Sequence, residues 1–440
     1  MLPKPKSCEG CPAYGDGRGF VPDELVEGAP LLLMFQNPGD AEEEQGKPLV
    51  GRTGQMMERS FFPLINVQRG EVSLGNAFRC RWQHTNKMPP PDKLRPTLEH
   101  CTRAHHRVPS GTQAVLASGE VAAQAMTGLT ADFSGWRGYA LPYSPGRLKA
   151  QTFVWAPSST EIPVLVTYHL AFMFRDPSAQ VPLKADWKKL LRVARREWPR
   201  PFPRVDTVPP DAWPAVAAFD TEFTRETKTL VRYSLSTPER AVWVIEADDL
   251  TVLPVAPGSQ VIMHNAVVDI PHLERVIPTA SIRLDDTMYA HAVLWGGREP
   301  KDRDDPHGGV AFSHTLNYLG SLYGQTNRHK HLDRMNPVQY AAGDALHTMD
   351  SWLGMQKEFD RDQASRRVYE DFQRPLLPLI LAHRAKGLRV NQERVKSSLQ
   401  ELKESQHGIT LQAHATIGWP INLNSPAQVA HWLYDVERAA

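Results

Sequence analysis

The segment 31–51, with the sequence LLLMFQNPGDAEEEQGKPLVG, joins a continuous apolar run to a loop rich in glycine, proline and acidic residues. Five apolar residues bounded by turn-forming residues are typical of a buried strand. A polar loop with an acidic triplet directly after such a strand is typical of a functional site. We therefore predict a buried strand at 31–35 that opens into a functional loop.

Similar apolar runs recur along both halves of the chain. In the first half, AVLAS (114–118) and PVLVTY (163–168) alternate with helix-like stretches, which predicts an α/β fold with a parallel sheet. The second half begins with VAAFDTEF (216–223), LVRYSLST (230–237) and AVWVIEA (241–247), three strand-like runs before any long helix. This order predicts a mixed sheet in a second domain.

A proline-rich segment separates the two halves. Residues 196–214 hold six prolines, and proline stiffens the backbone and removes a hydrogen-bond donor. We predict a linker there, between a first domain at 1–195 and a second domain at 215–368. Residues 369–440 would form a shorter helical region. A chain of 440 residues is long enough for two to three domains.

Composition and charge limit the class of protein. With 41% apolar and 22% charged residues, the chain is globular rather than disordered or fibrous. Its start lacks the apolar core of a signal peptide, and it holds no run of about 18 apolar residues. We expect a soluble, intracellular, cytoplasmic protein without a membrane partner. Residues 1–200 carry 25 Lys and Arg against 19 Asp and Glu, and the remainder 25 against 30, which suits one surface for phosphate and another for metal ions.

Four cysteines, all in the first domain, form a candidate metal site: Cys8, Cys11, Cys80 and Cys101. Nothing in the sequence indicates secretion, so disulfides are not expected. Two ligands on one tight turn and two distant ones are able to close a tetrathiolate site. The scattered spacing favours an iron–sulfur cluster over structural zinc, which more often shows a second Cys-x2-Cys pair. Buried thiols without a ligand are a third alternative.

Residues 1–195 resemble the iron–sulfur (family 4-like) uracil-DNA glycosylases of the thermophile type. The order and spacing of several motifs, together with the four cysteines, carry this resemblance. The motifs are FQNPG (35–39), GKPLVGRTG (46–54), NAFRCR (76–81), VLASGEVAAQAM (115–126), WRG (136–138) and TYHLAFMFRDP (167–177). The resemblance implies a [4Fe–4S] cluster on the four cysteines and a parallel-sheet domain that acts on uracil in DNA.

Candidate residues of the uracil site follow from this resemblance. Gln36 stands where the family usually has Glu, Leu49 where a Phe stacks on the flipped uracil, and Leu170 where Pro follows the His. The NPG loop also resembles that of the mismatch-specific uracil/thymine glycosylases, in which the residue equivalent to Asn37 holds the attacking water. Because an amide orients water but is a poor base, we expect slower hydrolysis than with a carboxylate.

Three further side chains complete the predicted uracil site. Glu42 matches a family carboxylate and would assist, Asn76 would bind the edge of the uracil, and His169 would stabilise charge that develops on the departing base. Glycosylases flip the base out of the DNA before they hydrolyse its bond to the sugar. Two alternatives remain open: the domain removes uracil, or it binds uracil or DNA without catalysis.

A constellation of carboxylates lies in the second domain. Asp220 and Glu222 are two residues apart in a strand-like run, so both side chains face one side of a sheet. Asp269 follows in an apolar segment, and Tyr340 and Asp344 are one helical turn apart on one helix face. Carboxylates in apolar surroundings need partners, and divalent metal ions are the simplest ones.

The ordered motifs DxE, N-x3-D and Y-x3-D over residues 213–365 resemble the DEDD 3′–5′ exonucleases with a tyrosine in the last motif, which have an RNase H-like fold. This resemblance implies two Mg²⁺ or Mn²⁺ ions about 3.5–4 Å apart, held by the four carboxylates. Tyr340 would orient the nucleophilic water, because a phenol with a pKa of about 10 is a poor base at neutral pH. A non-catalytic RNase H-like module is the alternative.

The C-terminal region resembles the part of A-family DNA polymerases that joins the exonuclease to the polymerase. RPLLPLILAHRAKGLRVNQERV (374–395) resembles the connecting segment, and INLNSPAQVAHWLYD (421–435) resembles a motif at the start of the thumb. We expect either a truncated polymerase or a natural stand-alone protein. A generic helical tail is the alternative.

These resemblances predict a DNA replication and repair protein with a proofreading 3′–5′ exonuclease beside a domain that removes or recognises uracil. The expected partners are DNA, as a uracil-containing single strand or 3′ end, and the polymerase remainder or other replication proteins. Such a combination suits replication-coupled repair by a phage-encoded protein. A nuclease that processes RNA is a further alternative, against which the polymerase-like tail argues.

Overall fold

The computed structural model describes residues 2–82, 89–145, 154–224, 226–227, 229–278, 282–296 and 313–436. The chain divides into two compact units, residues 1–377 and 378–440. The α/β class predicted from the sequence is confirmed, because the larger unit holds two sheets that both contain parallel strands.

Short strands, buried except at Pro142, build the first sheet, and two of them are the predicted runs LLLMF and AVLAS. The strands of this half are β1 Gly17–Arg18, β2 Leu31–Phe35, β3 Ser73–Asn76, β4 Arg81–Trp82, β5 Ala114–Ser118, β6 Ala140–Pro142 and β7 Pro163–Thr167. The sheet has the order β3-β2-β5-β7-β6, and within it only β6 is antiparallel to its neighbour. The carboxyl ends of β2, β3, β5 and β7 therefore share one edge, where open α/β sheets bind ligands.

Helices complete the core of this first domain. They are α1 Asp40–Gln45, α2 Arg52–Ser60, α3 Phe62–Ile65, α4 Pro91–His105, α5 Glu120–Thr127, α6 Phe133–Trp136 and α7 Gln180–Ala194. One apolar cluster joins the central strands to α3, α5 and α7. Trp187 of α7 is fully buried in it, with its ring 5.1 Å from that of Phe61.

The second sheet is mixed, as predicted. Its strands are β8 Val205–Asp206, β9 Val216–Phe223, β10 Leu230–Ser236, β11 Val242–Glu246, β12 Gln260–Met263 and β13 Arg283–Asp286. In the order β13-β12-β9-β10-β11-β8, only β10 is antiparallel to its neighbours. The helices of this domain are α8 Ile270–Leu273, α9 Thr287–Trp295, α10 Leu316–Tyr323, α11 Pro337–Arg361 and α12 Gln363–Arg367.

The proline-rich segment packs on the second domain instead of standing free. Its residues Val205 and Asp206 form the edge strand β8, which pairs with β11. Trp198 is fully buried, and its indole nitrogen donates a hydrogen bond of 2.9 Å to the carbonyl oxygen of Gly324. The segment thus connects the two sheets through fixed contacts.

A buried polar cluster joins the two sheet domains inside the larger unit. Arg137 donates from Nη1 to Asp186 at 3.0 Å in the first domain and from Nη2 to the hydroxyl of Ser321 in the second. Lys189 donates to the carbonyl oxygens of Gly138 and Ser321. The side chains of Arg137 and Asp186 are 1% and 0% exposed, and removal of one partner would leave an uncompensated buried charge. Specific contacts therefore hold the two domains together.

The larger unit continues beyond residue 368 because Tyr369 belongs to its core. Tyr369 is 2% exposed, and its hydroxyl accepts a hydrogen bond of 2.9 Å from the backbone nitrogen of Asp286. The remaining helical elements are a π-helical turn at Val368–Gln373, α13 Arg374–Lys386, α14 Gln392–Ile417, α15 Pro426–Ala430 and a π-helical turn at His431–Val436. Among the described helices, none combines the length and the apolar character needed to cross a membrane.

Candidate active sites and cysteine site

Two elements bring three carboxylates of the second domain together. Asp220 and Glu222 lie on one face of β9, in the middle of the second sheet. Asp344 projects from α11, which packs against β9 and β10. The ligand atoms of Asp220, Glu222 and Asp344 lie within 4.8 Å of one another. The fold therefore presents three acidic side chains to one position.

Asp269 reaches the same place from the segment after β12. Its Oδ1 accepts hydrogen bonds from the backbone nitrogen (3.2 Å) and the hydroxyl of Thr221, the residue between Asp220 and Glu222. All five residues predicted for the nuclease site, Tyr340 included, line a cavity of about 940 Å³. We call this cavity the carboxylate pocket.

Burial and mutual repulsion disfavour negative charge in the carboxylate pocket. Burial first, and then the charge of Asp344, raises the pKa of Asp220 well above its usual range and that of Glu222 to about 7. Burial also raises the pKa of Asp269 to about 7, although hydrogen bonds from Thr221 lower it. Divalent cations relieve this repulsion because they take the place of protons between the carboxylates.

Two basic side chains that the sequence reasoning missed contact Asp344. Burial acts to raise the pKa of Asp344, but Lys330 and then His329 outweigh this effect and lower it well below its usual range. Lys330 pairs with Asp344 and donates to the hydroxyl of Tyr340 at 3.1 Å, while His329 Nε2 lies 2.8 Å from Asp344 Oδ1. The basic run NRHKH (327–331) is the only signal in the sequence, and such runs usually face solvent.

The candidate uracil site lies at the carboxyl edge of the first sheet. Asn76 ends β3, Gln36 directly follows β2, and His169 lies two residues after β7. Gly119 follows β5 with a φ of +99°, and a Cβ there would lie 3.2 Å from His169 and 3.5 Å from Gln36 Oε1. Glycine at this position therefore lets Gln36 and His169 lie close together. We call Gln36, Asn76 and His169 the strand-edge site.

The strand-edge site offers hydrogen-bond donors without a positive charge. Asn76 is 2% exposed, and its Nδ2 has no hydrogen-bond partner among the described residues. His169 Nδ1 accepts from the backbone nitrogen of Ala171 at 3.2 Å, which leaves the proton of the neutral ring on Nε2. Burial, and then the charge of Arg175, lowers the pKa of His169 to about 4. At neutral pH the ring is therefore an uncharged donor.

Glu42, predicted to assist catalysis, braces the loop between the strand and α2. Its two carboxylate oxygens accept hydrogen bonds from the backbone nitrogens of Gly39 (3.0 Å) and Gly51 (2.8 Å). The side chain is almost completely buried. Glu42 thereby ties both ends of the loop to the start of α1.

The two remaining candidate residues of the loop, Asn37 and Leu49, have described contacts with other groups. Asn37 donates from Nδ2 to the carbonyl oxygen of Pro38 at 2.9 Å and lines a small cavity beside Cys80. Leu49, predicted to contact the base, has a left-handed φ of 56° and packs 5% exposed in the apolar core. Gln36, Asn76 and His169 thus lie at the carboxyl ends of parallel strands of one sheet, and Asn37, Glu42 and Leu49 belong to the segment between β2 and α2.

The four cysteines converge from separate parts of the first domain. Cys8 ends a 3₁₀ turn, and the backbone nitrogen of Cys11 donates to its carbonyl oxygen at 3.1 Å. Cys80 precedes β4, and Cys101 lies on α4. All four are free thiols and line one cavity, which we call the cysteine cavity. A Cβ at Gly17 would lie 2.6 Å from Cys80 Sγ, so the backbone approaches this thiol closely.

The chemistry of the cysteine cavity fits a metal cluster. Burial is the main cause that raises the pKa of Cys80 to about 11 and that of Cys101 to about 12, and the neighbouring thiols add to this shift. Metal coordination removes these protons and supplies the partners that buried thiolates need. Among the described residues, the only group of three or more ligand atoms within 4.8 Å is the carboxylate one. Four thiols that line one cavity are suitable ligands for a metal site, either a tetrahedral zinc or an iron–sulfur cluster.

Sequence comparison identifies the first domain. Residues 22–192 match the profile of the uracil DNA glycosylase superfamily. Similar curated proteins are the type-4 uracil-DNA glycosylases of Sulfurisphaera tokodaii and Pyrobaculum aerophilum. The first is 23% identical over 43% of this chain and 80% of its own length. The second is 25% identical over 41% of this chain and 86% of its own length.

Structural comparison gives weaker matches. The POL domain of Pol1 from M. smegmatis, in complex with DNA primer-template and dNTP, is 16% identical, with a TM-score of 0.39 over 53% of this chain and 41% of its own. Brucella melitensis NrnC with bound Mg²⁺ is 17% identical, with a TM-score of 0.30 over 43% of this chain and 96% of its own. Both scores are too low to establish a shared fold. The sequence matches, by contrast, establish that residues 22–192 form a uracil DNA glycosylase superfamily domain, homologous to the type-4 enzymes.

Proposed function

We propose that the protein is a DNA-processing enzyme whose second domain is a metal-dependent 3′–5′ exonuclease. The observation that carries this proposal is the approach of the Asp220, Glu222 and Asp344 ligand atoms to within 4.8 Å of one another. Asp269 and Tyr340 line the same cavity. Carboxylates this close together repel one another and therefore favour the binding of divalent cations. Such cations beside the substrate are what metal-dependent hydrolysis of phosphodiesters needs.

Mg²⁺ or Mn²⁺ suits these ligands, since hard divalent ions prefer carboxylate oxygens. Asp220, Glu222 and Asp344 would hold the ions, with Asp269 kept beside β9 by its hydrogen bonds to Thr221. When bound, such ions activate water and stabilise the leaving 3′ oxygen. In their absence the carboxylates would repel the DNA phosphates.

Tyr340 orients water in this mechanism and does not act as a base. Burial raises the pKa of Tyr340 to about 12, so the phenol keeps its proton at neutral pH. The Tyr340 oxygen accepts a hydrogen bond from Lys330. Its own proton is therefore available to a water molecule or to an oxygen of the DNA.

The neighbouring domain favours DNA, rather than RNA, as the substrate of the nuclease. The uracil DNA glycosylase superfamily domain packs on the second domain through the Arg137, Asp186 and Ser321 cluster. The direction of degradation rests on the resemblance of the three acidic motifs to 3′–5′ exonucleases. An RNA substrate is the alternative, and parallel assays on both polymers distinguish them.

A gel assay with end-labelled single strands tests the nuclease. We expect degradation from the 3′ end with Mg²⁺ and none with EDTA. Asp220→Ala combined with Glu222→Ala should abolish it, whereas Asp248→Ala combined with Asp249→Ala removes the same charge from an exposed turn and should not. Degradation by the first double variant at the parent rate would refute the proposal.

The strand-edge site supports a second function, the recognition and removal of uracil. The specific observation is the buried Asn76 Nδ2, which has no partner among the described residues. An unpaired buried donor costs about 1–3 kcal/mol, and a uracil carbonyl oxygen would satisfy it. His169, neutral and donating from Nε2, would stabilise the charge on the departing base. Asn37 would orient the attacking water through its Oδ1, since its Nδ2 is held by Pro38.

The formation of abasic sites in a uracil-containing strand tests this second function. The assay contains EDTA, which removes the metal ions that the nuclease needs. We expect slow release by the parent and a loss of about tenfold or more with Asn76→Ala. If the parent releases no uracil but binds uracil-containing DNA preferentially, the domain is a binding module. If it does neither, the function proposed for residues 1–195 is wrong.

For the cysteine cavity we propose a [4Fe–4S] cluster with a structural role, held by Cys8, Cys11, Cys80 and Cys101. Thiolates that ligate iron are not free to act as nucleophiles. Protein purified without oxygen should be brown and contain iron and sulfide, and Cys→Ser at any of the four positions should remove the colour. Colourless protein with one zinc per chain would refute the cluster.

A further inference from the structure

A short segment of the second domain lies between the carboxylate pocket and the glycosylase superfamily domain. We call Asn327–His331 the bridging segment. At its start, Asn327 accepts from the backbone nitrogen of Ala140 (3.2 Å) and donates to the carbonyl oxygens of Ala140 and Trp155 (2.8 Å each). At its end, the ring of His331 lies 5.4 Å from that of Trp136. The first domain therefore fixes both ends of the bridging segment.

Arg328, inside this segment, lines the carboxylate pocket. It forms an ion pair with Asp132, and its guanidinium lies 4.4 Å from the centre of the Trp136 ring. Its side chain is only 9% exposed, and its Nε has no hydrogen-bond partner among the described residues. Arg328 is thus a buried cation with an unused donor beside the pocket, held by two side chains of the other domain.

We propose that Arg328 binds a backbone phosphate of the single strand that enters the carboxylate pocket, and that Asp132 and Trp136 position it from the first domain, which presupposes the nuclease function proposed above. The glycosylase superfamily domain then supplies one wall of the nuclease substrate site. Asp132 and Gly135 of that domain line the same pocket.

The chemistry of the pocket is consistent with a phosphate-binding cation at this position. Four carboxylates repel DNA phosphates, and Lys330 is already engaged by Asp344 and Tyr340. Arginine carries five N–H donors in a rigid fork, so an ion pair with Asp132 leaves donors for a phosphate. Stacking on Trp136 keeps the guanidinium plane in place.

Binding of an oligothymidylate in EDTA tests Arg328 without hydrolysis and without uracil. Arg328→Gln should weaken binding about tenfold and reduce the slope of log affinity against log salt by about 0.7, the value of one phosphate contact on a single strand. Arg204→Gln is the matched control, because it removes the same charge from a side chain that is 91% exposed. Arg328→Lys, which keeps the charge and loses the fork, should lie between the parent and Arg328→Gln.

Equal slopes and affinities for Arg328→Gln and Arg204→Gln would overturn the proposal. So would a loss of thermal stability by Arg328→Gln with unchanged DNA binding, since the ion pair would then serve the domain interface alone. If the parent binds the strand but fails to degrade it with Mg²⁺, the nuclease function fails, while the binding data still decide the role of Arg328. In an active enzyme, Arg328→Gln should raise KM and leave kcat within about twofold.

The contribution of the first domain is tested without any change of charge. A Cβ at Gly135 would lie 2.4 Å from a carboxylate oxygen of Asp132, so Gly135→Ala should displace the anchor of Arg328. Gly70→Ala is the control, since nothing lies within 4 Å of a Cβ there. We expect Gly135→Ala to weaken binding about threefold or more in the parent and to have no further effect in Arg328→Gln. Equal effects of Gly135→Ala in both backgrounds would overturn the positioning role.

Discussion

The carboxylate pocket and the strand-edge site lie in one compact unit, yet the fold treats their polar groups in opposite ways. In the carboxylate pocket, burial and repulsion raise the pKa of Glu222 and Asp269 to about 7, and only Asp344 has cationic partners strong enough to reverse that effect. Around the strand-edge site, the protein itself satisfies most polar groups. Both oxygens of Glu42 are bonded to backbone, and His169 Nδ1 is bonded to Ala171.

The two regions therefore differ in the ligand that each one lacks. The carboxylate pocket needs an external cation, so its chemistry follows from repulsion among its own residues. The strand-edge site needs a ligand at one point, the unpaired Nδ2 of Asn76. Substitution of a metal-binding carboxylate in the first region should therefore lower activity and raise the stability of the metal-free protein, whereas substitution of Glu42 in the second should lower both.

The largest expected effect belongs to Asp220→Asn. Loss of one ligand of a two-metal site should lower degradation at least about 1,000-fold, equivalent to about 4 kcal/mol. The same variant should raise the melting temperature of the metal-free protein at alkaline pH by about 2 °C or more, because it removes a charge that burial disfavours. Calorimetry in EDTA and a rate assay with Mg²⁺ measure the two effects.

Asp248→Asn, at an exposed position, is the control for the charge. A fall in stability for Asp220→Asn comparable to that of an ordinary buried substitution would contradict the comparison. Asp220 would then be satisfied by the fold, like Glu42.

The next effect is the pH dependence of stabilisation by Mg²⁺. Glu222 and Asp269 have a folded-state pKa raised to about 7, so the folded metal-free protein binds more protons than the unfolded chain between about pH 4 and 7. Their contribution to stability therefore falls as the pH rises through this window. Mg²⁺ should raise the melting temperature more at about pH 8 than at about pH 5.5, where protons compete for the same oxygens.

The melting temperatures with and without Mg²⁺ are compared at the same pH. The contribution of the buried histidines to stability then cancels, because they titrate in both samples. Asp220→Ala combined with Glu222→Ala should abolish the pH dependence of the Mg²⁺ effect. An equal Mg²⁺ effect at both pH values would show that these carboxylates are already ionised in the metal-free protein.

Local signals in the sequence predicted the pairs of side chains that line the carboxylate pocket, and the resemblance to the DEDD exonucleases predicted that the separate segments come together. Period-two spacing on a strand placed Asp220 and Glu222 on one face, and helical spacing placed Tyr340 beside Asp344. The apolar runs likewise predicted β2, β5 and β9. These features depend on backbone periodicity, which short segments already contain.

The contacts of the bridging segment could not be predicted in the same way. The ion pair between Asp132 and Arg328 joins residues almost 200 positions apart, and it exists only because the two domains pack together. The bracing role of Glu42 also depends on where Gly51 returns in the fold. The resemblance to known glycosylases supplied the identity of the candidate residues but not which of their hydrogen bonds the protein already uses.

A smaller effect is expected for Glu42→Gln. An amide has a single oxygen, so one of the two backbone nitrogens at Gly39 and Gly51 would lose its acceptor, at a cost of about 1–3 kcal/mol. We expect lower stability towards urea and, through the displaced loop, slower uracil release. Glu44→Gln, two residues away at an exposed position, is the control. Loss of uracil release at unchanged stability would show that Glu42 is a catalytic carboxylate instead of a brace.

The smallest expected effect, and the sharpest test of the strand-edge site, is Gln36→Glu. Cleavage of the bond to uracil makes the sugar cation-like, and a nearby carboxylate stabilises that charge more than an amide dipole does. Gln36 lies beside Gly119 and the neutral ring of His169. Burial of the carboxylate offsets part of the gain, and we expect release to accelerate about threefold to tenfold, or about 1 kcal/mol in activation free energy.

Single-turnover release of uracil in EDTA measures this acceleration, with Gln45→Glu as an exposed control for the added charge. Slower release than the parent would mean that the sugar does not lie beside Gln36, and equal acceleration by Gln45→Glu would assign the effect to long-range charge. Release that appears only in Gln36→Glu would show that the parent domain has kept the pocket but lost the carboxylate that makes it a glycosylase.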